Sequence, residues 1–190
     1  MDAVMNRSTY PRIIETIKGK IYKMARPALK HIEAGGNLNW FFRNYFRGRD
    51  CKYFSEPTVQ LGESEVVPDI CVVCDKSKLT ETRIIGTPDL VVEILSPSTR
   101  KKDIEEKHPL YEEHGVKEYW MVDPVAGFVE IYTLLDSGKY TNLPRSYSLL
   151  SDEDKVNLTS DGMHHLIVEE VTSTLFPNLT IQLSELFDYL

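Results

Sequence analysis

The sequence lacks any apolar run near the roughly 20 residues that a membrane-spanning helix needs, and no internal repeat or low-complexity segment stands out. Its first residues, M-D-A-V-M-N-R-S, lack the apolar core of a secretory signal. We therefore expect a cytoplasmic protein with no membrane partner. The composition, 42% hydrophobic and 27% charged, is ordinary for a globular protein, so residues 1–190 are expected to form one domain.

Cysteine is scarce, with only Cys51, Cys71 and Cys74, which is typical of a reducing compartment. Cys71 and Cys74 form a C-x-x-C pair, but the two further ligands of a zinc site are missing: no histidine pair follows at finger-like spacing. In the strand-like run I-C-V-V-C, moreover, positions three apart face opposite sides. We expect small buried apolar side chains here rather than a zinc or redox site.

Charge is unevenly distributed along the chain. Residues 1–52 carry 11 Lys or Arg and 4 Asp or Glu, a net charge of +7, whereas residues 53–190 carry 11 and 25, a net charge of −14. Such asymmetry permits a nucleic-acid-binding face on an acidic protein, and it equally fits an ordinary charged helix surface.

The order of predicted elements indicates a mixed α/β (α+β) fold with a mixed central sheet. Strand, helix and strand at 89–95, 101–114 and 117–122 form one crossover unit. The other assignments are a short helix and a strand within 10–24, a helix over 28–46, strands near 51–54, 58–61 and 66–74, a hairpin over 128–141, β or turn structure over 146–171, and a C-terminal helix at 183–189.

The run P-D-L-V-V-E-I-L-S-P-S places two acids in an otherwise apolar strand. Strand side chains alternate, so Asp89, Val91, Glu93 and Leu95 share one face. A carboxylate in the middle of a buried strand is usually paired, metal-bound or catalytic. Glu93 is therefore the first candidate site residue, while Asp89 fits a structural role at the strand start.

Asp69 and Lys107 are the expected partners of Glu93. If the strands of Asp69 and Glu93 are neighbours, their carboxylates converge, and a divalent cation such as Mg²⁺ or Mn²⁺ would relieve their repulsion. Lys107 could orient or deprotonate a metal-bound water or bind a phosphate. Asp103 and Lys107 share one helix face, which from spacing alone favours a surface ion pair.

Several spaced motifs resemble a bacterial family of putative restriction endonucleases that is abundant in cyanobacteria and belongs to the PD-(D/E)xK nuclease superfamily. They are V-V-P-D-I-C-V-V, G-T-P-D-L-V-V-E-I-L-S-P-S-T, D-I-E-E-K, Y-E-E-H-G-V-K-E-Y-W-M-V-D-P and V-E-I-Y. The likeness runs from about residue 15 to residue 187, with the motifs in the same order.

This resemblance implies a restriction-endonuclease-like fold, a mixed central sheet flanked by helices, and Mg²⁺-dependent (or Mn²⁺-dependent) cleavage of DNA. By position, Asp69 matches the motif aspartate and Glu93 the acid of (D/E)xK; both would bind the metal. The motif lysine would stand at Leu95, so a displaced lysine, Lys107, is expected to supply its charge. The family's acid after the first-strand glycine is also absent, because Lys20 stands there.

The same resemblance implies DNA as the partner, and the choice of further site residues is left open. Lys101 and Lys102, with Arg100 nearby, are candidate phosphate contacts to DNA. Glu15 or His31 could contribute to the site, although packing is the more usual role of a helix histidine.

A homodimer is also expected, since cutting both strands favours two active sites. Tyr119, Trp120 and the hairpin could supply its apolar face. The competing interpretation is a non-catalytic nucleic-acid-binding or self-associating module that keeps the nuclease fold.

Overall fold

The computed structural model describes residues 14–24 and 26–188. It is a mixed α/β fold in which mixed sheets are flanked by helices. The strands are β1 (Ile14–Ile17), β2 (Lys20–Lys23), β3 (Lys52–Ser55), β4 (Val59–Leu61), β5 (Ser64–Val66), β6 (Ile70–Val73), β7 (Ile84–Ile85), β8 (Leu90–Ile94), β9 (Glu118–Asp123), β10 (Phe128–Thr133), β11 (Arg145–Ser148), β12 (Glu170–Thr172) and β13 (Thr180–Gln182).

Helical segments lie between the strands and after them. The α-helices are α1 (Leu29–Phe46), α2 (Arg100–Lys102), α3 (His108–Glu113), α4 (Asp152–Ser160) and α5 (Leu183–Leu186). A π-helical turn, Asp103–Lys107, joins α2 to α3, and short 3₁₀ turns occupy Lys76–Lys78 and His164–Leu166.

The central sheet has six strands in the order β11-β10-β9-β8-β6-β3. Strands β8 and β9 are parallel, as the predicted crossover requires, whereas β6 runs antiparallel to β8. One face of the sheet carries Leu90, Val92 and Ile94 and packs on the buried stripe of α1 and on the C-terminal elements. The predicted alternation of the 89–95 strand is therefore confirmed.

The opposite face of the central sheet packs on a second, five-stranded sheet in the order β2-β1-β5-β4-β7. This second apolar cluster contains Val91 of β8 and Leu95, the residue directly after β8. Ile17 of β1 and Tyr111 of α3 also belong to it. Glu93 projects between Val91 and Leu95 and so points into the layer between the two sheets.

The helix predicted over 101–114 is present but is interrupted by the π-helical turn. Pro109 has no N–H to donate to the preceding turn, and its ring crowds the carbonyl four residues earlier. A wider turn ahead of it relieves that clash, and the His108 N–H bonds to the Asp103 carbonyl, five residues back. The wider turn faces inward with both Asp103 and Lys107 buried.

Two assignments from the sequence are wrong. Residues 14–17 form strand β1 rather than a helix, because β2 and β5 pair with it on either side. The segment 146–171, expected to be β or turn, contains α4, which Ser151 and Asp154 cap reciprocally at its N-terminus. Two parts of the predictions lie outside the described residues. They are positions 10–13 of the predicted 10–24 segment and position 189, the predicted end of the C-terminal helix.

The cysteines also differ from expectation. Lys52 pairs with Val73 between β3 and β6, and one position further on, Cys51 and Cys74 form a disulfide. Cys74 is therefore not the free apolar side chain that was expected. Cys71 is free and buried, as predicted. The pairing depends on strand register, which cysteine spacing alone does not show.

None of the helices within residues 14–24 and 26–188 is both long enough and apolar enough to cross a bilayer.

Gly36 offers a test of the α1 geometry. It lies inside the helix, and a methyl group at its Cα would meet no atom within 4 Å. We expect Gly36→Ala to raise the free energy of unfolding by about 0.5–1 kcal/mol, because alanine loses less backbone entropy on folding. Denaturant unfolding measures this change.

Gly35→Ala is the matched control, because there the added methyl would lie 3.4 Å from Cδ1 of Ile94. A smaller gain is expected for it. Equal destabilisation by both substitutions would contradict the described course of α1.

Candidate active site

Glu93 occupies the middle of β8 and is 3% exposed. Strand β6 pairs with β8 through Ile70 and Val92, and this register places Asp69, just before β6, opposite Glu93. The neighbouring strands on which the predicted convergence depended are therefore present. A glutamate in this apolar layer needs a partner, because an isolated buried charge is costly.

Lys107 provides that partner from the π-helical turn. Its Nζ lies 2.8 Å from Oε1 of Glu93 and 2.7 Å from Oε1 of Glu15, and Oδ1 of Asp103 is 3.9 Å away. Lys107 is 1% exposed and Asp103 is 2% exposed. The expectation of a surface ion pair between Asp103 and Lys107 is wrong, since the widened turn directs both inward.

Glu15 joins the cluster from β1, in the other sheet. Its Oε1 also accepts a hydrogen bond from the Val67 N–H at 3.0 Å, and its Oε2 pairs with the ammonium of Lys102. From the sequence, Glu15 was only a possible contributor to the site. The available signal was the one used for Glu93: in I-E-T-I, the acid shares a strand face with a buried isoleucine, Ile17.

Tyr111 of α3 was missed by the sequence analysis. Its hydroxyl donates a hydrogen bond of 2.6 Å to Oε1 of Glu93 and its ring is fully buried. Nothing in the sequence distinguishes it from a core aromatic residue, and only the packing of α3 on β8 brings it to the carboxylate. Together with Lys107, it fixes one carboxylate oxygen of Glu93.

Asp69 lies at the boundary between this buried cluster and the surface. Its Oδ2 accepts a hydrogen bond of 2.6 Å from the N–H of Ile94, and its Oδ1 is 3.3 Å from Nε2 of His31. Both Asp69 and His31 line a cleft of about 250 Å³ between α1 and the ends of the strands. His31, an uncertain candidate in the sequence, is thus in contact with the motif aspartate.

The electrostatics follow from burial and from an excess of acids. Burial raises the pKa of Glu93 well above its ordinary value, against the opposing effect of Lys107. Burial opposes ionisation of Glu15 as well, but Lys107 and Lys102 lower its pKa. Burial alone would lower the pKa of Lys107, yet Glu93 and Glu15 raise it, so this ammonium stays charged.

The same reasoning applies at the edge of the cluster. Burial works against protonation of His31, but the hydrogen bond that its imidazole donates to the Asp69 carboxylate raises its pKa. Burial also raises the pKa of Asp103. The acids here therefore attract positive charge, whether from a side chain, a proton or a metal ion.

Leu95, the position at which the resemblance implied a motif lysine, is 2% exposed within the apolar cluster. The ammonium beside Glu93 is that of Lys107, 12 residues further along the chain. The structure thus brings Asp69, Glu93 and Lys107 into one region although the spacing of the motif is broken.

The donor set fits a hard divalent cation in type. Mg²⁺ commonly takes only one or two carboxylates and completes its shell with waters and substrate phosphates. Asp69 and Glu93 can supply two such carboxylates. Among the described residues, no three His, Cys, Asp or Glu side chains are grouped closely enough to hold a metal ion by themselves.

The other sequence candidates lie around this centre. Asp89 has a structural role, as expected: it accepts from the Cys74 N–H and pairs with Lys117. Lys101 is exposed, with Glu105 3.8 Å away. Lys102 is largely buried against Glu15. Both lysines line a cavity of about 330 Å³ beside the β1–β2 hairpin.

Comparison with known proteins shows the family of this chain. A family model, Uma2, described as "Putative restriction endonuclease", matches residues 8–161. The uncharacterized protein slr1290 of Synechocystis sp. PCC 6803 is 30% identical over 153 residues, which is 78% of each chain.

A solved structure has a similar fold. A putative nuclease belonging to DUF820 from Anabaena variabilis superposes with a TM-score of 0.69 over 92% of this chain and 89% of that one, at 21% identity. The restriction-endonuclease-like architecture expected from the sequence is therefore confirmed.

Replacing Lys107 tests how far the cluster depends on its ammonium. We expect Lys107→Met to lower the free energy of unfolding by about 3–5 kcal/mol, because two buried carboxylates lose their shared cation. Denaturant unfolding in EDTA at neutral pH measures this loss. Adding Glu15→Gln should recover part of it, since one of the stranded charges is then removed.

Lys139→Met is the control, because that lysine pairs with Glu112 at the surface, where ion pairs contribute little. Equal effects of the two lysine substitutions would contradict the buried cluster.

The lowered pKa of Glu15 gives a pH dependence with a defined sign. A carboxyl group whose pKa falls on folding stabilises the protein when the pH is above 4.5, the ordinary pKa of a glutamate. This contribution disappears as the pH drops through the lowered pKa of the folded protein. The stability difference between wild type and Glu15→Gln should therefore be large at pH 6–8 and shrink below about pH 4.5. A stability difference between the two proteins that stays constant across this pH range would contradict an ionised Glu15.

Proposed function

The chain belongs to the Uma2 family, described as putative restriction endonucleases, and we propose on this premise that it is a metal-dependent endonuclease that hydrolyses phosphodiester bonds in DNA. The observation that carries the proposal is the reach of Lys107 to Glu93, at 2.8 Å inside the protein. It supports a variant PD-(D/E)xK site in which the lysine comes from the helical segment instead of the strand.

Asp69 and Glu93 are the residues that would hold Mg²⁺ or Mn²⁺. When bound, such an ion lowers the pKa of a coordinated water and neutralises charge on a phosphate. Asp69 borders the cleft and so can meet a ligand from solvent, and its Oδ2 is oriented by the Ile94 N–H. Glu93 has one oxygen engaged by Lys107 and Tyr111, which fixes the direction of the other.

Lys107 is the proposed source of positive charge at the reacting phosphate. Glu15 keeps its ammonium charged and in place, and the backbone carbonyl of Val67 accepts a further, longer hydrogen bond from it. A cation held this firmly needs little reorganisation during reaction, which is how electrostatic stabilisation of a transition state becomes effective. Glu15 and Tyr111 are therefore positioning residues.

Lys101 and Lys102, which line a cavity together with Ser98 and Thr99, are proposed to contact the phosphates of DNA. Lys101 extends into solvent with only a long contact to Glu105, and it is the better placed of the two. Lys102 would have to share its ammonium with Glu15. Such contacts carry affinity but little sequence information.

The non-catalytic alternative predicts that Asp69, Glu93 and Lys107 point apart, and their proximity favours the enzyme. The expected homodimer stays a prediction, to be measured by light scattering. Tyr119 and Trp120 are fully buried, so the expectation that these two residues supply an apolar dimer face is wrong. The contribution expected from the hairpin stays a prediction.

Cleavage assays with site variants test the proposal. Plasmid DNA and oligonucleotides are incubated with protein and Mg²⁺ or Mn²⁺. We expect Asp69→Asn, Glu93→Gln and Lys107→Met each to reduce the cleavage rate at least about 100-fold, because each removes charge at the reacting phosphate. Cleavage at the wild-type rate in these variants would overturn the site.

Asp89→Asn is the matched control, since this acid precedes the same strand and its bond to the Cys74 N–H can be kept by an amide oxygen. It should cut DNA as the wild type does. Calorimetric titration with Mn²⁺ gives a readout that is independent of target sequence: the wild type should bind the ion and Asp69→Asn should not.

A further inference from the structure

The outward side of α1 carries an unusual set of exposed residues. They follow one another at helical spacing of three or four and form one stripe, which we call the α1 outer face: Ile32, Gly36, Trp40, Arg43 and Arg47. Trp40 is 62% exposed and Ile32 is 50% exposed. The buried side of the same helix fills the core with Leu38 and Phe42, so core packing does not account for this stripe.

The α1 outer face begins at the candidate active site. Ile32 and Gly36 line the same cleft as Asp69 and His31. From His31 to Trp40 is nine residues, which corresponds to about 14 Å along a helix, or roughly four stacked nucleotides. A strand whose phosphate lies at Asp69 can therefore reach Trp40 without bending away from the protein.

Its charge is complementary to a polyanion. Within the described part of the chain, neither Arg43 nor Arg47 takes part in an ion pair. Other exposed cations, such as Lys18, Arg83 and Lys139, do pair with acids. Glu33 is the one acid of α1, and it lies at the opposite end of the helix from the arginines. This face is basic, whereas residues 53–190 of the chain carry a net charge of −14.

Trp40 has an aromatic neighbour that is anchored in the core. Its ring contacts Phe41 edge-to-face, with centroids 4.9 Å apart at 85°, and Phe41 packs against the core. Exposed aromatic rings beside cations are the combination by which proteins bind single-stranded nucleic acids, because every unpaired base offers a face for stacking. In a duplex that face is already stacked, so Ile32 and Trp40 would gain little.

We propose that the α1 outer face binds an unpaired stretch of nucleic acid leading away from the cleft, with a base stacked on Trp40 and phosphates on Arg43 and Arg47. This rests on the proposed nuclease function and sharpens it: the substrate has a single-stranded segment beside the cut. The arrangement uses both the basic end of the helix and the apolar residues nearer the cleft.

Binding measured without cleavage tests the inference. A fluorescein-labelled, mixed-sequence 20-nucleotide DNA is titrated with the full chain in EDTA, single-stranded and as a duplex, and anisotropy is recorded. We expect Trp40→Ala to weaken single-strand binding roughly 5- to 100-fold. Trp40→Phe should stay within about 3-fold of wild type, because phenylalanine can still stack.

Tryptophan fluorescence gives a second readout. The chain has two tryptophans, and Trp120 is fully buried. The single strand should quench wild-type emission, and this quenching should be absent in Trp40→Phe. Leu143→Ala removes another exposed apolar side chain, 88% exposed, and should leave binding unchanged.

The arginines are tested through salt dependence. Arg43→Gln with Arg47→Gln should reduce the slope of log affinity against log salt by about 1.4 for the single strand, since each phosphate contact contributes about 0.7. Lys139→Gln with Lys155→Gln changes the net charge equally at other surfaces and should leave the slope unchanged.

Three results would overturn the inference. One is wild-type affinity of Trp40→Ala for the single strand; another is equal binding of the duplex with an equal loss in the variants. The third is a dimer in light scattering that Trp40→Ala dissociates, which would make this face a contact between copies.

Failure of the nuclease proposal would be seen separately, because it concerns metal-dependent cleavage and the residues Asp69, Glu93 and Lys107. A Trp40-dependent single-strand complex that is never cut would leave the surface established and the enzyme overturned.

Discussion

One buried ammonium group, that of Lys107, joins the parts of this protein that the candidate site needs. It contacts Glu93 from the central sheet and Glu15 from the second sheet, while its own backbone belongs to the helical segment between β8 and β9. Without it, two carboxylates would face each other across an apolar layer. The stacking of the sheets and the geometry of the site therefore depend on the same charge.

The position of this lysine reflects a compromise between packing and chemistry. Leu95 keeps the end of β8 apolar on the side where the second sheet packs. The positive charge is instead carried by Lys107, in the wider helical turn that precedes Pro109. From there its long side chain reaches inward. The strand is thus free to serve as core, and the charge still arrives at Glu93.

Charge is also organised on a larger scale. Asp69 lines the cleft, Glu93 lies in the layer between the two sheets, and both favour a cation. Basic residues lie on the exposed side of α1, which borders the cleft. A phosphate approaching the cleft would meet positive charge along α1, and the acids beneath it suit a metal ion. This division agrees with the difference in net charge between the first 52 residues and the rest.

Local sequence patterns were enough to predict the crossover unit, the α1 helix and the inward face of β8, because alternation and helical spacing are local properties of Leu90–Ile94 and Leu29–Phe46. The sequence also singled out Asp69, Glu93 and Lys107, mainly through family resemblance. It could not show that Lys107 is buried, that Glu15 and Tyr111 join it, or that Cys51 meets Cys74. Those contacts depend on strand register and on how two sheets stack, and residues distant in sequence decide both.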